Sequence, residues 1–208
     1  MTLATFSDLK SAIENWLNET GNQAIIDNAA DFITLAECWM KENMEFRPRY
    51  LETRETLTSS EETVDLPDGF LGISQLRIDS VSPRKILRTT TQNDMETYSG
   101  TGQPEKFVVE STYLRFCPIP DQSYDFSLLY YKFPTALSES NTTNSILTNQ
   151  PNIYLWASLL QAALYLKDDP QIEKFGNLLE SSVRNRYQRD LKEKYSAPVQ
   201  MVNPYRIF

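Results

Sequence analysis

The chain has 208 residues, 40% of them hydrophobic and 12% aromatic, which suffices for a substantial core in one domain or two small ones. Its formal net charge of −8 argues against a general nucleic-acid-binding protein, because phosphate groups are bound by basic surfaces. The sequence contains no histidine, so it lacks the commonest general base and transition-metal ligand, and its six glycines form no glycine-rich phosphate-binding motif.

The first fifty residues predict a helical hairpin. Residues 7–18 carry an apolar stripe at helical spacing, with Ser7 as the expected N-cap. A second helix is expected to begin at residue 23 or 27 and to end at residue 46, because proline soon follows. Its apolar positions include Trp39, which we expect in the core. We also expect Cys38 on this helix and Cys117 further along to be reduced, buried thiols.

Residues 50–133 have the pattern of a small antiparallel sheet or barrel. Strands are predicted at residues 50–59, 63–66, 75–79, 84–88, 106–110, 113–117 and 124–133. The sequence Pro67-Asp68-Gly69 predicts a turn, since proline fixes φ and glycine permits positive φ. Residues 70–73 are expected to form one helical turn, residues 91–98 a short helix, and residues 134–150 a polar loop.

Two further helices are predicted after this region. The segment Pro151–Leu166 is apolar around almost its whole circumference, which is typical of a helix buried on every side. Residues 170–195 form an amphipathic helix, for which Asp169 is the expected N-cap. The predicted core of this helix pair consists of Trp156, Leu160, Leu164, Phe175 and Leu179.

These elements together predict an α+β fold. N- and C-terminal helical hairpins, from residues 1–49 and 134–195, are expected to pack as one helical bundle. Residues 50–133 are then an inserted antiparallel β-sheet or barrel-like domain. Residues 196–208 are expected to form an extended C-terminal docking tail, because the two prolines within it oppose helix formation.

Candidate catalytic groups are few. The densest acidic cluster consists of Glu61, Glu62, Asp65 and Asp68, and paired carboxylates can act as acid and base or hold a hard cation. The cluster falls in a predicted turn and lacks the residue order of a calcium loop, so we favour a solvated turn. A carboxylate-dependent hydrolase stays open as an alternative, but we expect no enzyme activity, no metal site and no cofactor.

Aromatic residues recur on the predicted strands, where they could stack on nucleic-acid bases or fill the core. Because the chain is acidic, core packing is the favoured interpretation. The residues concerned are Tyr113, Phe116, Tyr124, Phe126, Tyr130 and Tyr131.

Partner binding is assigned to the C-terminal end of the chain. The last helix carries a basic run, which is either a solvated helix end or a docking surface for an acidic partner. The tail after it is too apolar for a free end, so it is expected to fold back on the chain or to dock on another subunit. The predicted partner-binding residues are Arg184, Arg189, Val199, Met201, Val202, Tyr205, Ile207 and Phe208.

Several short segments carry a resemblance to a known family in their order and spacing. They are residues 36–39, 66–71, 102–104, 114–121, 128–131, 149–157 and 162–169. Together they resemble the head-to-tail adaptor proteins of tailed bacteriophages, also called connector or head-completion proteins. The resemblance covers most of the chain and includes no catalytic signature.

The resemblance implies a structural virion protein that is made in the host bacterial cytoplasm and assembles at the head–tail interface. Such proteins form a homo-oligomeric ring, expected to be a dodecamer, that docks beneath the portal protein through its helical bundle and C-terminal tail. The ring extends the DNA channel and presents the β domain to the tail or nozzle protein. DNA is expected to pass without sequence-specific binding, and no membrane is involved. A tail-side nozzle or tail-completion protein is the alternative.

Overall fold

The computed structural model describes residues 3–43, 48–97 and 100–195, with side chains as far as residue 192. The chain divides into a helical unit, drawn from residues 1–49 and 136–208, and a β unit, Tyr50–Thr135. Helices come from both ends of the described sequence and strands from its middle, which confirms the predicted α+β class.

The N-terminal part of the helical unit consists of α1, Phe6–Leu17, and α2, Gln23–Asn43. The prediction that Ser7 caps α1 is wrong, because Thr5 is the N-cap. The Thr5 hydroxyl accepts a hydrogen bond from the Asp8 N–H at 3.2 Å, and the Asp8 carboxylate accepts one from the Thr5 N–H at 3.0 Å. This reciprocal capping box satisfies two backbone donors. The predicted end of the second helix at residue 46 lies outside the described residues.

The β unit follows a short 3-10 helix, Arg49–Leu51, and has ten strands and one helix, α3, Gln92–Glu96, within the ranges that the structure describes. The strands are β1 Glu52–Ser59, β2 Thr63–Asp65, β3 Phe70–Ile78, β4 Lys85–Ile86, β5 Arg88–Thr89, β6 Thr101–Gly102, β7 Lys106–Glu110, β8 Tyr113–Cys117, β9 Ile119–Pro120 and β10 Tyr124–Lys132. The predicted strands at 106–110 and 113–117 are confirmed at both ends.

These strands form two four-stranded sheets, in the orders β1–β10–β3–β4 and β2–β8–β7–β5, while β6 pairs with β9. Most neighbours are antiparallel as predicted, but β5–β7 and β6–β9 are parallel. The two larger sheets share one apolar core. Its centre is a pair of stacked rings, Phe116 of β8 and Phe126 of β10, whose centroids lie 4.3 Å apart.

The prediction of a helical turn at residues 70–73 is wrong, because these residues begin the nine-residue strand β3. They pair with the end of β10, where Phe70 lies opposite Lys132 and Ile73 opposite Tyr130. The preceding turn is present as predicted. The Phe70 N–H donates to the Pro67 carbonyl at 3.2 Å, and Gly69 has a φ of 74°. The turn therefore leads directly into the first residue of β3.

The chain returns to the helical unit with α4, Ser145–Asn149, α5, Pro151–Leu166, and α6, Asp169–Tyr195. The helix α4 lies within the segment predicted as a loop. Pro151 occupies the start of α5, where no N–H is needed. The N-cap predicted for the last helix is displaced by one residue, because Asp168 accepts the hydrogen bond from the Gln171 N–H, at 3.2 Å.

The helix α5 is the centre of the helical unit, since α1, α2 and α6 all pack against it. Its first three turns are largely buried, but the prediction that the whole helix is buried is wrong. Leu164, in its last turn, is 48% exposed, and the adjacent Tyr165 is 50% exposed. The neighbouring helices cover the early turns of α5 more completely than this last one. Leu164 is therefore not a core residue in the chain as described.

The other predicted core residues divide into two groups. Phe175 and Leu179 of α6 are buried as predicted. Trp39, Trp156 and Leu160 are partly buried, so they lie at the margin of the core and not at its centre. The two cysteines also differ in their burial. Both are reduced, but only Cys117 is buried, and Cys38 is exposed on the outer face of α2.

Candidate partner-binding surfaces

Of the eight predicted partner-binding residues, the structure describes two. Arg184 and Arg189 lie on α6, near the end of its described side chains. The six apolar residues of the tail lie outside the described residues, and they are Val199, Met201, Val202, Tyr205, Ile207 and Phe208.

The basic run on α6 is not one uniform surface. Arg184 points into solvent and forms an ion pair with Glu180 one turn earlier, at 2.6 Å, with both side chains about two-thirds exposed. Exposed pairs of this kind contribute little stability. Arg186 pairs with Asp190, also at 2.6 Å, and both of these side chains are nearly buried. Arg186 therefore belongs to the interior of the unit, while Arg184 is available to a partner.

Arg189 lies in a different environment from Arg184, in a polar pocket of about 210 Å³ where the start of α5 meets α6. The pocket is lined by Gln150, Asn152, Ser182, Asn185, Arg186 and Arg189. These amide, hydroxyl and guanidinium groups suit a carboxylate or carbonyl group of a partner. The structure thus places the two predicted arginines on separate surfaces of one helix.

A buried carboxylate on α2 is the centre of a hydrogen-bond network in the helical unit. It was not among the residues predicted from the sequence. Glu37 is 3% exposed, and its Oε1 accepts hydrogen bonds from the Leu137 N–H and the Tyr154 hydroxyl, both at 2.8 Å. The Tyr154 hydroxyl in turn accepts from the Asn144 side chain at 2.7 Å. Burial raises the pKa of the Glu37 carboxyl, while these hydrogen bonds lower it in part. The network joins α2, α5 and the segment before α4.

Of the acidic cluster predicted from the sequence, Glu62 forms an ion pair with Arg115, while Glu61, Asp65 and Asp68 are exposed. Glu62 accepts a hydrogen bond from Arg115 Nε at 2.6 Å, and Glu96 accepts one from Arg115 Nη1 at 2.7 Å. Glu110 lies 3.6 Å from the same guanidinium group. Hydrogen bonds to Glu96 and Glu62 raise the pKa of Arg115. This arrangement of one arginine among three carboxylates connects the turn before β2 with α3, β7 and β8.

The described residues contain no metal-binding cluster, and most aromatic residues of the strands lie in the core. Among the residues described, no three histidine, cysteine, aspartate or glutamate side chains come together in a way that could hold a metal ion. Five of the six strand aromatics are buried, which confirms core packing for Phe116, Tyr124, Phe126, Tyr130 and Tyr131. Burial and the Glu55 carboxylate raise the pKa of Tyr130 to about 12. Tyr113 is partly buried and donates to Glu110 at 2.9 Å.

The surface of the helical unit carries large apolar side chains that the sequence analysis placed in the core or did not consider. Trp16 is 49% exposed, Leu35 52% and Tyr187 41%, in addition to Leu164 and Tyr165. Single exposed apolar residues are common, so only those that lie together on one face bear on partner binding.

The family model of the SU10 adaptor protein matches residues 4–202 of the chain. The chain belongs to the SU10 adaptor protein family. It is therefore a structural adaptor protein of a bacteriophage virion with a part in tail assembly, and this family is not an enzyme class. Portal and tail proteins are its partners, and it associates with copies of itself. The resemblance seen in the sequence is confirmed.

Two further observations accompany this assignment. No curated protein matches the chain. Within the residues described, no helix combines the length and the apolar character that crossing a membrane requires.

Proposed function

We propose that the chain is the head-to-tail adaptor that docks directly beneath the portal, extends the DNA channel and provides the attachment platform for the tail. The observation that carries this proposal is the SU10 adaptor match, which spans nearly the whole chain. In this arrangement the adaptor forms a closed ring, a dodecamer. It is made in the host cytoplasm and ends at the head–tail interface of the virion.

Three parts of the chain have separate tasks in this proposal. The helical bundle of residues 1–49 and 134–195 forms the ring and faces the portal. The β domain of residues 50–133 faces the tail or nozzle protein. The tail of residues 196–208 reaches onto the portal and docks there as an extended segment.

The composition of the tail supports its docking role. It combines six large apolar or aromatic residues with two prolines, and full burial of each large apolar side chain contributes about 1.5–3 kcal/mol. An extended segment can dock by adding to a sheet edge or by filling pockets with its side chains. Arg189, near the start of the tail, adds positive charge for an acidic portal surface.

The charge of the chain supports passage of DNA through the ring. A net charge of −8 gives the assembled ring a negative field, and DNA carries the same sign. Like charges keep the DNA from adhering to the channel wall while it moves. DNA therefore passes without sequence-specific binding.

The test is a binding assay with the portal ring encoded by the same phage genome, followed by electron microscopy of the complex. Three forms are compared: the full chain, a chain that ends at residue 195, and a chain of full length whose last 13 residues are replaced by glycine and serine. We expect the full chain to form a ring beneath the portal and the two altered forms to lose docking. The third form separates the effect of tail length from the effect of its apolar side chains.

The outcomes distinguish the alternatives. Undiminished docking of both altered forms would show that the tail is not the docking segment. If the folded full chain forms no complex with the portal but binds the tail tube or nozzle, the tail-side function replaces the adaptor function. Image classes with another rotational symmetry would replace the dodecamer alone.

A further inference from the structure

We infer that one copy of the chain binds the next through two complementary stripes: the outer face of α2 on one copy and the outer face of the C-terminal half of α6 on the other. The inference rests on the proposed ring and names the residues that close it. The two stripes differ in charge, lie on opposite sides of the helical unit, and each includes or adjoins an exposed apolar side chain.

The first stripe, called the acidic stripe, runs along the solvent face of α2 and consists of Asp27, Asp31, Leu35, Cys38 and Glu42. All five side chains are exposed. At about 100° per residue, they fall within roughly 80° of one another around the helix. Leu35 is 52% exposed near the middle of the stripe. Lys41 is the single basic residue of α2, and it flanks the stripe.

The second stripe, called the basic stripe, consists of Arg184, Gln188 and Lys192 of α6. These residues follow one another at four-residue steps, so they also fall within about 80° around their helix. All three are exposed, and the half-exposed Tyr187 lies beside them. Among the acidic side chains described near this end, Glu180 contacts Arg184 and Asp190 contacts Arg186. The stripe therefore presents positive charge beside an aromatic ring.

The two stripes point away from each other because α5 lies between their helices. Tyr154 of α5 donates its hydroxyl to Glu37 of α2 at 2.8 Å. Trp156, two residues later, stacks on Phe175 of α6 with the ring centroids 6.3 Å apart. Residues two positions apart project about 160° apart around a helix. Hence α2 and α6 lie on opposite sides of α5, and each stripe lies on the outer side of its helix.

Two different and complementary surfaces on opposite sides of one subunit make a head-to-tail interface. Such an interface leaves one free stripe on every incomplete assembly, and it closes into a ring when the rotation between neighbours allows closure. A self-complementary surface would end at a dimer instead. The second copy of this chain is therefore the partner that fits both stripes at once.

The interface has the composition expected of a reversible contact. Opposite charges steer association and fix the register, while Leu35 and Tyr187 supply apolar area near its centre. The exposed Arg184–Glu180 pair contributes little within one copy, so Arg184 is able to exchange Glu180 for a carboxylate of the neighbour.

Charge reversal tests the pairing in the assembly on the portal ring. D27K/D31K is expected to abolish complete rings, and R184E/K192E is expected to do the same, with apparent affinity between copies reduced about a hundredfold. The chain that carries all four substitutions has both stripes reversed, so it is expected to form rings again. E173K, on the same face of α6 but in its N-terminal half, is the matched control and is expected to assemble normally. Circular dichroism and tryptophan fluorescence show that each variant is folded.

A second measurement uses the exposed thiol in the acidic stripe. Q188C places a second thiol in the basic stripe, and a bifunctional maleimide is expected to join Cys38 of one copy to residue 188 of the next. Because every copy reacts on both sides, the product is a ladder of covalent oligomers. N177C, on the same face about three turns before residue 188, is expected to give no ladder.

Three results would overturn the inference. Complete rings of either charge-reversed variant at ordinary concentration would show that the stripes do not pair. The stripes also do not pair if the folded chain with all four substitutions forms no rings and Q188C gives no ladder of oligomers. That result would leave the adaptor function intact. If the unaltered chain forms no ring on its portal, both the ring and this interface are wrong.

Discussion

The helical unit and the β unit of this chain are stabilised by different means. The β unit has a core between two sheets in which half of the buried residues are aromatic, and Arg115 lies among partly exposed carboxylates. The helical unit has a mainly aliphatic core around α5, and its principal polar network is buried at Glu37. Large apolar side chains at the surface are concentrated on the helices. The comparison indicates that the helical unit leaves more large apolar side chains exposed to neighbours than the β unit, where Ile86 and Val109 are exposed.

The three tryptophans make this comparison measurable. Trp16, Trp39 and Trp156 all belong to the helical unit, so tryptophan fluorescence reports on that unit alone. Hydrogen exchange resolved by peptide reports on both units.

The largest expected effect comes from the stacked rings in the β unit. F126A removes a fully buried ring that lies 4.3 Å from Phe116, and we expect a loss of about 3–5 kcal/mol in the free energy of unfolding. Hydrogen exchange should accelerate in β3, β8 and β10, while the tryptophan fluorescence transition keeps its midpoint. L159A, at a fully buried position of α5, should instead lower the midpoint of the tryptophan fluorescence transition. Hydrogen exchange in β3, β8 and β10 should stay unchanged in this variant. Equal shifts of both transitions in either variant would mean that the units unfold as one.

A smaller effect is expected at two glycines with positive φ, one in each unit. In G69A the new Cβ would lie 2.9 Å from the Phe133 carbonyl oxygen, at a φ of 74°, and we expect a loss of about 1–3 kcal/mol. Gly21, at a φ of 84°, has nothing within 4 Å of its added Cβ, so G21A carries the backbone strain without the clash. Chemical denaturation of both variants separates the cost of backbone strain from the cost of the contact with the Phe133 carbonyl oxygen. Equal losses of stability in G69A and G21A would show that the Phe133 carbonyl group shifts away from the new Cβ without destabilising the fold.

The smallest effect concerns pH and the helical unit. Because burial raises the pKa of Glu37 above 4.5, the folded state binds this proton more tightly than the unfolded state. The group therefore favours folding below pH 4.5, and that contribution is lost as the pH rises through the raised pKa. E37Q should remove this pH dependence, because a glutamine side chain does not titrate.

The measurement for Glu37 is the midpoint of the tryptophan fluorescence transition at several pH values between 4 and 7. E42Q, at an exposed position of the same helix, is the control and should keep the pH dependence of the unaltered chain. If E37Q also keeps it, another group carries the titration.

Much of the fold follows from local patterns, as particular residues show. The β7–β8 hairpin alternates clearly and has a short connection, so both strands are predicted to the residue. The Pro67-Asp68-Gly69 turn is predicted because its chemistry is local. The cap of α1 is misplaced by two residues, since Thr5 and Ser7 both carry hydroxyl groups and the deciding bond involves Asp8. Residues 70–73 are misassigned because their strand pairing comes from β10, more than fifty residues away.

The candidate surfaces were predictable to a smaller extent. The basic run and the apolar tail are visible in the sequence, but the separation of Arg184 from Arg189 depends on the approach of α5. Glu37 looks like an ordinary helix surface residue until Tyr154 and Leu137 surround it. Arg115 gains Glu62 and Glu96 from distant segments, while Glu110 comes from the neighbouring strand of its own hairpin. The exposed end of α5 could not be foreseen, because an apolar helix gives no signal of which turn its neighbours cover.

The sequence by itself determined the class of fold, the helical and strand segments, most of the β core and, through its resemblance, the adaptor family. These features depend on periodicity, turn chemistry and segment order, which neighbouring residues carry. The tertiary structure alone decided which charges are buried, which apolar residues stay at the surface, and that α2 and α6 face opposite directions across α5. Those properties arise from contacts between residues far apart in the chain, and no local pattern encodes them.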